Sequence, residues 1–339
     1  MSNNKKPVAA ITHGDINGIG YEVILKALSD NRILDFCTPV IYGSSKAASY
    51  HRKAITVSDY QLTLARNMQQ LHDGKTYIYN ITNEEIKIEF GKSSAIAGQM
   101  AHKSLEAAIA DIDSGTANIL ITAPINKNNI QSKNFNFSGH TEYLASKYKT
   151  KNFMMLMVSS QIRIGVVTGH IPLKNVTDAI SSKLIEEKLS ILNDSLKIDF
   201  GISNPKIAVL GLNPHAGDNS LIGNEDKNII EPAIRNAFEK GINAFGPFPA
   251  DGFFASNSFR KYDATLAMYH DQGLIPFKLL SFEEGVNFTA GLPIVRTSPA
   301  HGTGYDIAGK NKASCDSFRN AIFLGVEIFK NRLKKTSNK

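Results

Sequence analysis

Residues 7–28 of the chain, PVAAITHGDINGIGYEVILKAL, have the pattern of a short buried strand, a glycine-rich loop and a helix. The apolar run Pro7–Thr12 is too short for a helix, whereas the apolar residues of Tyr21–Leu28 recur at helical spacing. A strand that leads directly into a helix is the repeating element of an α/β fold. This stretch therefore predicts an α/β protein with a largely parallel sheet.

The same alternation continues along the chain. Helices are predicted over Ala97–Asp113, Glu142–Tyr148 and Asp316–Leu333, and strands over Asn118–Thr122, Arg163–Thr168, Lys206–Leu212 and Ala264–Tyr269. The 339 residues suffice for about two domains. We predict one α/β domain from residues 1–130 plus 290–339 and a second from 131–289, although no linker marks the boundary.

The excess of basic over acidic residues is confined to the two ends of the chain. The formal net charge is +7, and seven of the 38 Lys and Arg residues lie within 1–10 and 330–339, which contain no Asp or Glu. Acids and bases therefore balance in the remainder, and a nucleic-acid partner is not predicted.

Cysteine content and hydropathy exclude two further classes. Two cysteines provide neither a disulfide framework nor a cysteine-based zinc site. The N-terminus is polar, and the longest apolar run, Phe153–Val158, is far shorter than the ~20 residues that span a bilayer. We expect a cytoplasmic protein without a membrane partner.

The glycine-rich loop does not match a dinucleotide fingerprint. Its glycines are Gly14, Gly18 and Gly20, and the motif needs the order G-x-G-x-x-G. A standard Rossmann site is therefore not predicted.

Three histidines follow predicted strands. His170, His215 and His270 each lie beside Pro or Gly, and three imidazoles with an open position form a common catalytic metal site. Asp251 and Asp271 are candidate carboxylates to orient a ligating ring. Long separations divide the three histidines, so purely structural roles remain an alternative.

Anion-binding signals form another group. Thr141 is placed as the N-cap of the predicted helix Glu142–Tyr148, where free N–H groups and the helix dipole favour a phosphate or carboxylate. Lys278, Asn287 and Arg296 follow at nine-residue steps through short strands and turns. Taken singly, these features also fit a capped helix and exposed bases.

Read together, the segments resemble a known family. The phrases that carry the resemblance are ITHGDINGIG (11–20), ITAPINK (121–127), SGHTEYLA (138–145), TGHIPLKNV (168–176), LGLNPHAGDNSLIGNED (210–226), GPFPADGFF (246–254), MYHDQGLIPFK (268–278) and GVNFTAGLPIVRTSPAHGTGYDIAGK (285–310). In this order they resemble the 4-hydroxythreonine-4-phosphate dehydrogenase family of pyridoxal phosphate biosynthesis.

The resemblance implies a fold and a set of partners. The fold would be the two-domain α/β fold of isocitrate and isopropylmalate dehydrogenases, with NAD or NADP and a small phosphorylated substrate in the cleft between the domains. The protein would be a homodimer whose active site draws residues from both subunits. Which residues bind the cofactor is not assigned.

The resemblance also implies site residues. The family's metal ligands map onto His170, His215 and His270, for zinc or alternatively magnesium or cobalt. Its substrate contacts map onto His140, Thr141, Lys278, Asn287 and Arg296. Asp271 or Lys278 would relay the proton of the substrate's alcohol.

The implied reaction is the NAD-dependent oxidation of 4-phosphooxy-L-threonine to 2-amino-3-oxo-4-phosphooxybutanoate. This product decarboxylates to 3-amino-2-oxopropyl phosphate, in pyridoxine 5'-phosphate biosynthesis. The metal would lower the pKa of the alcohol and stabilise the enolate formed on decarboxylation.

Some positions depart from the commonest family pattern. The departures are Ile16, Asn17, Tyr21, Gly169, Ala300 and Gly304.

Three other functions compete with this interpretation. The nearest competitor is a sister dehydrogenase of erythronate or threonate phosphate. A metal-independent acyl-phosphate transferase and a non-enzymatic anion- or nucleic-acid-binding protein are the other two.

Overall fold

The computed structural model describes residues 5–57 and 61–337. The chain divides into two compact units, the first formed by Met1–Lys147 and Pro293–Lys330 and the second by Tyr148–Leu292 and Asn331–Lys339. Each unit contains its own set of paired strands and helices, so the predicted α/β class is confirmed.

The five predicted strands are present, and the described residues contain seven further strands. Among the described residues they are β1 Val8–Thr12, β2 Thr38–Gly43, β3 Leu62–Leu64, β4 Thr76–Asn80, β5 Ile119–Thr122, β6 Met154–Val158, β7 Arg163–Val166, β8 Lys206–Leu210, β9 Asn243–Phe248, β10 Ala264–Ala267, β11 Val286–Ala290 and β12 Val295–Pro299.

The helices alternate with these strands. They are α1 Gly20–Leu28, α2 Ile33–Phe36, α3 Ser45–Lys53, α4 Ala95–Asp113, α5 His140–Lys147, α6 Val176–Ala179, α7 Ser182–Ile198, α8 Glu231–Glu239, α9 Ala250–Ala255, α10 His270–Ser281 and α11 Asp316–Ser337. None of these described helices is long and apolar enough to cross a membrane.

The sheet of the first unit is parallel throughout. Its strand order is β3-β4-β2-β1-β5-β12, and every neighbouring pair runs in the same direction. Strands β1, β2 and β5 are completely buried, as expected for parallel strands that are covered on both faces. Their carboxyl ends consequently carry their loops to one edge of the sheet.

The second unit has a mixed sheet, which the alternation of elements did not predict. Its order is β11-β6-β7-β10-β8-β9, with β6 antiparallel to both β11 and β7 and the remaining pairs parallel. The reason is local, because β6 and β7 are joined by a tight turn in which Ser159 N donates to Ile162 O. The apolar run Phe153–Val158 thus supplies a hairpin strand.

The glycine-rich loop of the first unit packs against the protein's own backbone. A Cβ on Gly14 would lie 2.2 Å from Pro124 O, and one on Gly18 would lie 2.6 Å from Thr303 O. Gly14 also has a φ of +67°, a left-handed conformation that glycine adopts most readily. The glycines therefore serve loop-to-loop packing, which agrees with the absence of a dinucleotide fingerprint.

Two departures from the family pattern in this loop have structural roles. Asn17 Nδ2 donates to Lys92 O at 2.8 Å and to Ser94 Oγ at 3.1 Å, and its Oδ1 accepts from Glu89 N. The hydroxyl of Tyr21 accepts a hydrogen bond from Ser44 N at 2.9 Å. Both side chains are buried, so these hydrogen bonds satisfy polar groups inside the unit.

A buried stack of rings lies beneath the same loop. The imidazole of His13 stacks on Tyr21 at 5.2 Å between ring centroids, and Tyr21 lies 4.9 Å from His51. Burial lowers the pKa of both histidines to about 4. In His51 the hydrogen bond between Nε2 and Ile16 O acts in the opposite direction and raises the pKa, but burial has the larger effect. The folded protein therefore keeps both rings neutral at mildly acidic pH.

The lowered pKa values predict that the first unit loses stability in acid. An unfolded histidine takes up a proton below its ordinary pKa of 6.5, whereas the folded one does so only near 4. Stability is therefore fully present above pH 6.5 and falls between 6.5 and 4, by up to about 1.4 kcal/mol per pH unit for each ring. We expect His51→Gln, which retains a donor for Ile16 O, to reduce this slope in urea unfolding followed by circular dichroism.

The matched control is His72→Gln, because His72 is exposed in the same unit. It should leave the slope between pH 7 and pH 4.5 as in the parent protein. An unchanged slope in His51→Gln would show that the buried stack does not govern the acid response.

Candidate active site

Strands β12 and β5 place a buried arginine at the edge of the first unit's sheet. Arg296 pairs in register with Leu120, and its side chain extends to the end of β5. Its Nε and Nη2 donate to Thr122 Oγ1 at 3.1 Å and 2.7 Å. Only 3% of Arg296 is exposed, so its orientation is fixed by strand pairing and by these bonds.

Helix α5 brings two further predicted residues to this arginine. The helix begins at His140, so Thr141 lies in its first turn and the prediction of Thr141 as the N-cap is wrong. Tyr143 N donates to Gly139 O, which shows that the helical hydrogen bonds begin earlier than the sequence pattern suggested. Thr141 Oγ1 consequently lies 3.5 Å from Arg296 Nη1.

Helix α5 belongs to the first unit because its side chains pack there. The ring of Tyr143 stacks on Phe135 at 4.9 Å between centroids, and its hydroxyl donates to Glu106 of helix α4. The unit therefore extends to Lys147, and His140 and Thr141 lie in it with Arg296.

The electrostatics of this cluster favour an anion. Burial lowers the pKa of Arg296 to about 10, which still leaves the guanidinium charged at neutral pH. Burial, followed by the charges of Arg296 and Lys127, holds the pKa of His140 well below its usual range. A neutral imidazole, a buried cation and the N-terminus of an eight-residue helix thus converge on one place.

The second unit carries the three predicted metal ligands after neighbouring strands. Strands β7, β10 and β8 are adjacent and parallel, and His170, His270 and His215 follow them in that order. His170 and His215 are exposed and His270 is half-buried, so these rings are accessible to a ligand from solvent.

Two of these rings lie close to each other. The centroids of His170 and His270 are 5.4 Å apart. Two imidazoles on one tetrahedral ion at the usual Zn–N distance have centroids about 5 Å apart. His270 Nδ1 also lies 2.7 Å from Asp271 Oδ1, a carboxylate–histidine pair that leaves Nε2 for a metal.

His215 does not complete a cluster with them in this structure. The part of the chain that the structure describes contains no group of three or more His, Cys, Asp or Glu residues arranged to hold a metal ion. His215 lies in a segment, Pro214–Ser220, whose residues from His215 to Ser220 all have positive φ. Such a left-handed run is strained for side chains other than glycine and points to a site with a special function.

The other predicted residues of this unit lie on helices α9 and α10 and on strand β11. Lys278 is exposed on helix α10, and Asn287 is half-buried on β11 opposite Met157. Asp251 is exposed in the first turn of α9, and Asp271 is the carboxylate that contacts a candidate ligand ring.

Sequence reasoning assigned no role to three residues that contribute to this geometry. Thr122 accepts both bonds from Arg296, and Lys127 faces His140, although both lie within the quoted phrase ITAPINK at a strand end. Gln272 bridges two strand ends of the second unit and lies within MYHDQGLIPFK. The available signal was that Thr122 ends strand β5 and that Lys127 and Gln272 lie five residues beyond the ends of β5 and β10.

Comparison with known proteins assigns the chain to a family. The family model described as pyridoxal phosphate biosynthetic protein PdxA matches residues 35–325. A 4-hydroxythreonine-4-phosphate dehydrogenase of Bacteroides thetaiotaomicron is 49% identical, over 99% of this chain and 92% of that protein. A protein of Oceanobacillus iheyensis, provisionally named D-threonate 4-phosphate dehydrogenase, is 36% identical over 96% of this chain and 98% of its own length.

A solved structure agrees in fold. The crystal structure of 4-hydroxythreonine-4-phosphate dehydrogenase from Klebsiella pneumoniae superposes with a TM-score of 0.82 at 33% identity, covering 97% of this chain and 99% of that one. The resemblance seen in the sequence motifs is therefore confirmed over nearly the whole length. The chain belongs to the pyridoxal phosphate biosynthetic protein PdxA family.

Proposed function

We propose that this dehydrogenase oxidises 4-phosphooxy-L-threonine with NAD, or alternatively NADP, in the pathway to pyridoxine 5'-phosphate. The observation that carries the proposal is the buried Arg296 beside Thr141 and His140, a site suited to a small phosphorylated substrate. The name of the relative that is 49% identical supports the same substrate.

In this proposal the first unit's cluster binds the phosphate. Arg296 supplies a fixed positive charge, and Thr141 and the first turn of helix α5 supply hydrogen-bond donors. His140 is neutral at pH 7 because of its lowered pKa, so it exchanges hydrogen bonds with the substrate's polar groups without adding charge. Binding there excludes water from the phosphate and orients the carbon chain.

The second unit's histidines would hold a divalent cation, with zinc preferred over magnesium because the donors are imidazoles and over cobalt because zinc binds such donors more tightly. His170 and His270 have the required spacing, and His215 would provide the third ligand. Bound there, the cation would lower the pKa of the substrate's alcohol and stabilise the enolate that forms when carbon dioxide leaves.

The remaining residues handle protons and orientation. Asp271 holds the Nδ1 of His270 and thereby directs its Nε2 outward. Exposed Lys278 would relay the alcohol proton to solvent, and Asn287 would bind a polar group of the substrate. The alcohol loses one proton, and its carbon gives one hydride to NAD. The resulting ketone then loses carbon dioxide as the second product.

Helix α10 supports a homodimer as the active form. Ile275, Leu279 and Phe282 are 58%, 83% and 76% exposed, and their spacing places them along one side of the helix. A contiguous apolar stripe on a surface is typical of a protein interface, and Lys278 lies within it. We infer that this side of α10 packs on a second copy and that the active site combines residues of both subunits.

Substrate preference tests the proposed reaction. NADH formation measured at equal concentrations should give a kcat/KM about tenfold or more higher for 4-phosphooxy-L-threonine than for erythronate or threonate 4-phosphate. A preference for the hydroxy acids would assign the sister activity instead. Turnover of acyl phosphates that persists in the presence of a metal chelator would instead assign the acyl-phosphate transferase activity.

Removal of one histidine tests the cation site. His270→Ala should abolish turnover and zinc binding measured by calorimetry, while Asp271→Asn should weaken zinc affinity about 10- to 100-fold. Both substitutions lie at the surface of the unit, so circular dichroism should be unchanged. His72→Ala is the control, and zinc binding by His270→Ala at the parent's affinity would refute the ligand assignment.

Mixed dimers test whether the site is shared. His270→Ala and Arg296→Gln chains are each expected to be inactive alone, but a mixed dimer should contain one site with intact His270 and intact Arg296. Random mixing should then restore about a quarter of the parent activity, since half the dimers are mixed and each has one working site. No recovery would place both residues in the site of a single chain.

Adding Leu279→Asp to both chains provides the control. The charge in the apolar stripe should give monomers by light scattering and remove the recovered activity. Recovery that persists in monomers would contradict the proposed interface.

A further inference from the structure

The loop after strand β5 carries a lysine beside the candidate anion site of the first unit. Lys127 lies five residues beyond the end of β5, whose last residue, Thr122, accepts the hydrogen bonds of Arg296. A Cβ on Gly139, the residue before helix α5, would lie 3.8 Å from Lys127 Cε. The end of the lysine side chain is therefore adjacent to the start of α5, where His140 lies.

Hydrogen bonds fix the backbone of this lysine relative to the helix. Gln131 Nε2 donates to Lys127 O at 2.7 Å and to Phe137 O at 2.9 Å. Asn126 Oδ1 also accepts from Asn128 N at 2.9 Å, which holds the turn on either side of the lysine. One glutamine thus ties the segment of Lys127 to the residues that lead into helix α5.

The ammonium group of Lys127 is exposed and is not paired with an acid. Within residues 5–57 and 61–337, no carboxylate lies within ion-pair distance of it. Its charge instead acts on His140, whose pKa is held well below the usual range by burial and then by the charges of Arg296 and Lys127. The lysine therefore presents its charge to the candidate anion site.

The charge balance of the site leaves a place for a second cation. Burial lowers the pKa of Arg296 to about 10, and the charge of half-buried Glu142 acts in the opposite direction, so the guanidinium is partly offset by a carboxylate. A phosphate monoester carries about −1.5 to −2 charges at pH 7. Arg296 alone therefore leaves most of that charge unbalanced, since His140 is neutral.

We propose that Lys127 is a substrate-binding residue that contacts the phosphate group together with Arg296 and so favours substrates with a doubly charged phosphate. The proposal rests on the proposed function of this cluster as the phosphate site. Arg296 is held by Thr122, whereas an ammonium on a flexible four-carbon stem can follow the phosphate as it enters. The two cations thus have complementary roles.

Three substitutions separate the charge from other properties of the lysine. Lys127→Gln removes the charge, and Lys127→Arg retains it. Lys75→Gln is the matched control, because Lys75 is exposed in the same unit and directly precedes strand β4. Since the sheet of this unit is parallel, Lys75 lies at the edge opposite the one from which the loops of the site extend.

Steady-state kinetics of the full-length protein are the first measurement. Lys127→Gln should raise KM for 4-phosphooxy-L-threonine about 10- to 100-fold, as expected for the loss of one charge-assisted hydrogen bond, with kcat within about threefold of the parent. Lys127→Arg should recover most of the affinity, and Lys75→Gln should match the parent. An unchanged KM in Lys127→Gln, or a loss confined to kcat, would overturn the proposal.

Binding of inorganic phosphate supplies a readout that does not depend on turnover. At an ionic strength held constant with chloride, phosphate should raise the melting temperature of the parent and of Lys75→Gln, and Lys127→Gln should lose at least about half of that shift. If phosphate gives the parent no shift, the change in KM decides alone.

The two measurements distinguish this proposal from the proposed reaction. Loss of the phosphate shift in Lys127→Gln, in a parent that does not oxidise 4-phosphooxy-L-threonine, would refute the reaction and retain the role of Lys127. An active parent whose KM and phosphate shift are both unaffected by Lys127→Gln would refute only the role of Lys127. A parent with neither turnover nor a phosphate shift would refute the phosphate site, and the role of Lys127 with it.

Discussion

Strands β7, β10 and β8 pair in parallel, and their carboxyl ends therefore meet at one edge of the second unit's sheet. This constraint places the loops that carry His170, His215 and His270, which are far apart in the sequence, at the same edge of the sheet. Ligands in α/β sheets bind beyond the carboxyl ends of strands because the loops there are free to vary while the strands remain fixed. The strand order decides which loops are neighbours, and His270 follows the central strand of the three.

The first unit builds its candidate anion site around a buried side chain. Removing a guanidinium from water is unfavourable, and the lowered pKa of Arg296 records that cost. Two hydrogen bonds to Thr122 Oγ1 keep the group oriented without neutralising its charge. A buried cation in this state interacts more strongly with an incoming phosphate than an exposed lysine would.

The α/β class and the strand-to-loop positions of the candidate residues could be predicted from periodicity, because buried parallel strands and amphipathic helices have distinct patterns. The hairpin of β6 and β7 could not, since two short apolar runs do not reveal their relative direction. The start of helix α5 was misjudged because Thr141 is a good N-cap residue, whereas packing of Tyr143 on Phe135 accompanies an earlier start. The roles of Asn17 and Gln272 depend on backbone groups distant in sequence, which no local pattern encodes.

The two candidate sites differ in how firmly their residues are held, and the difference follows from their chemistry. A phosphate is bound by charge and directional donors, so the buried, hydrogen-bonded Arg296 can be positioned before the ligand arrives. A metal ion instead forms short bonds that must close around it, which is compatible with exposed rings on loops whose bases are fixed. Gln272 and Asp226 hold those bases, and the left-handed run from His215 to Ser220 remains at the tip. Strain is therefore concentrated in the segment that would supply the proposed third ligand, where bonds to a metal would compensate for it.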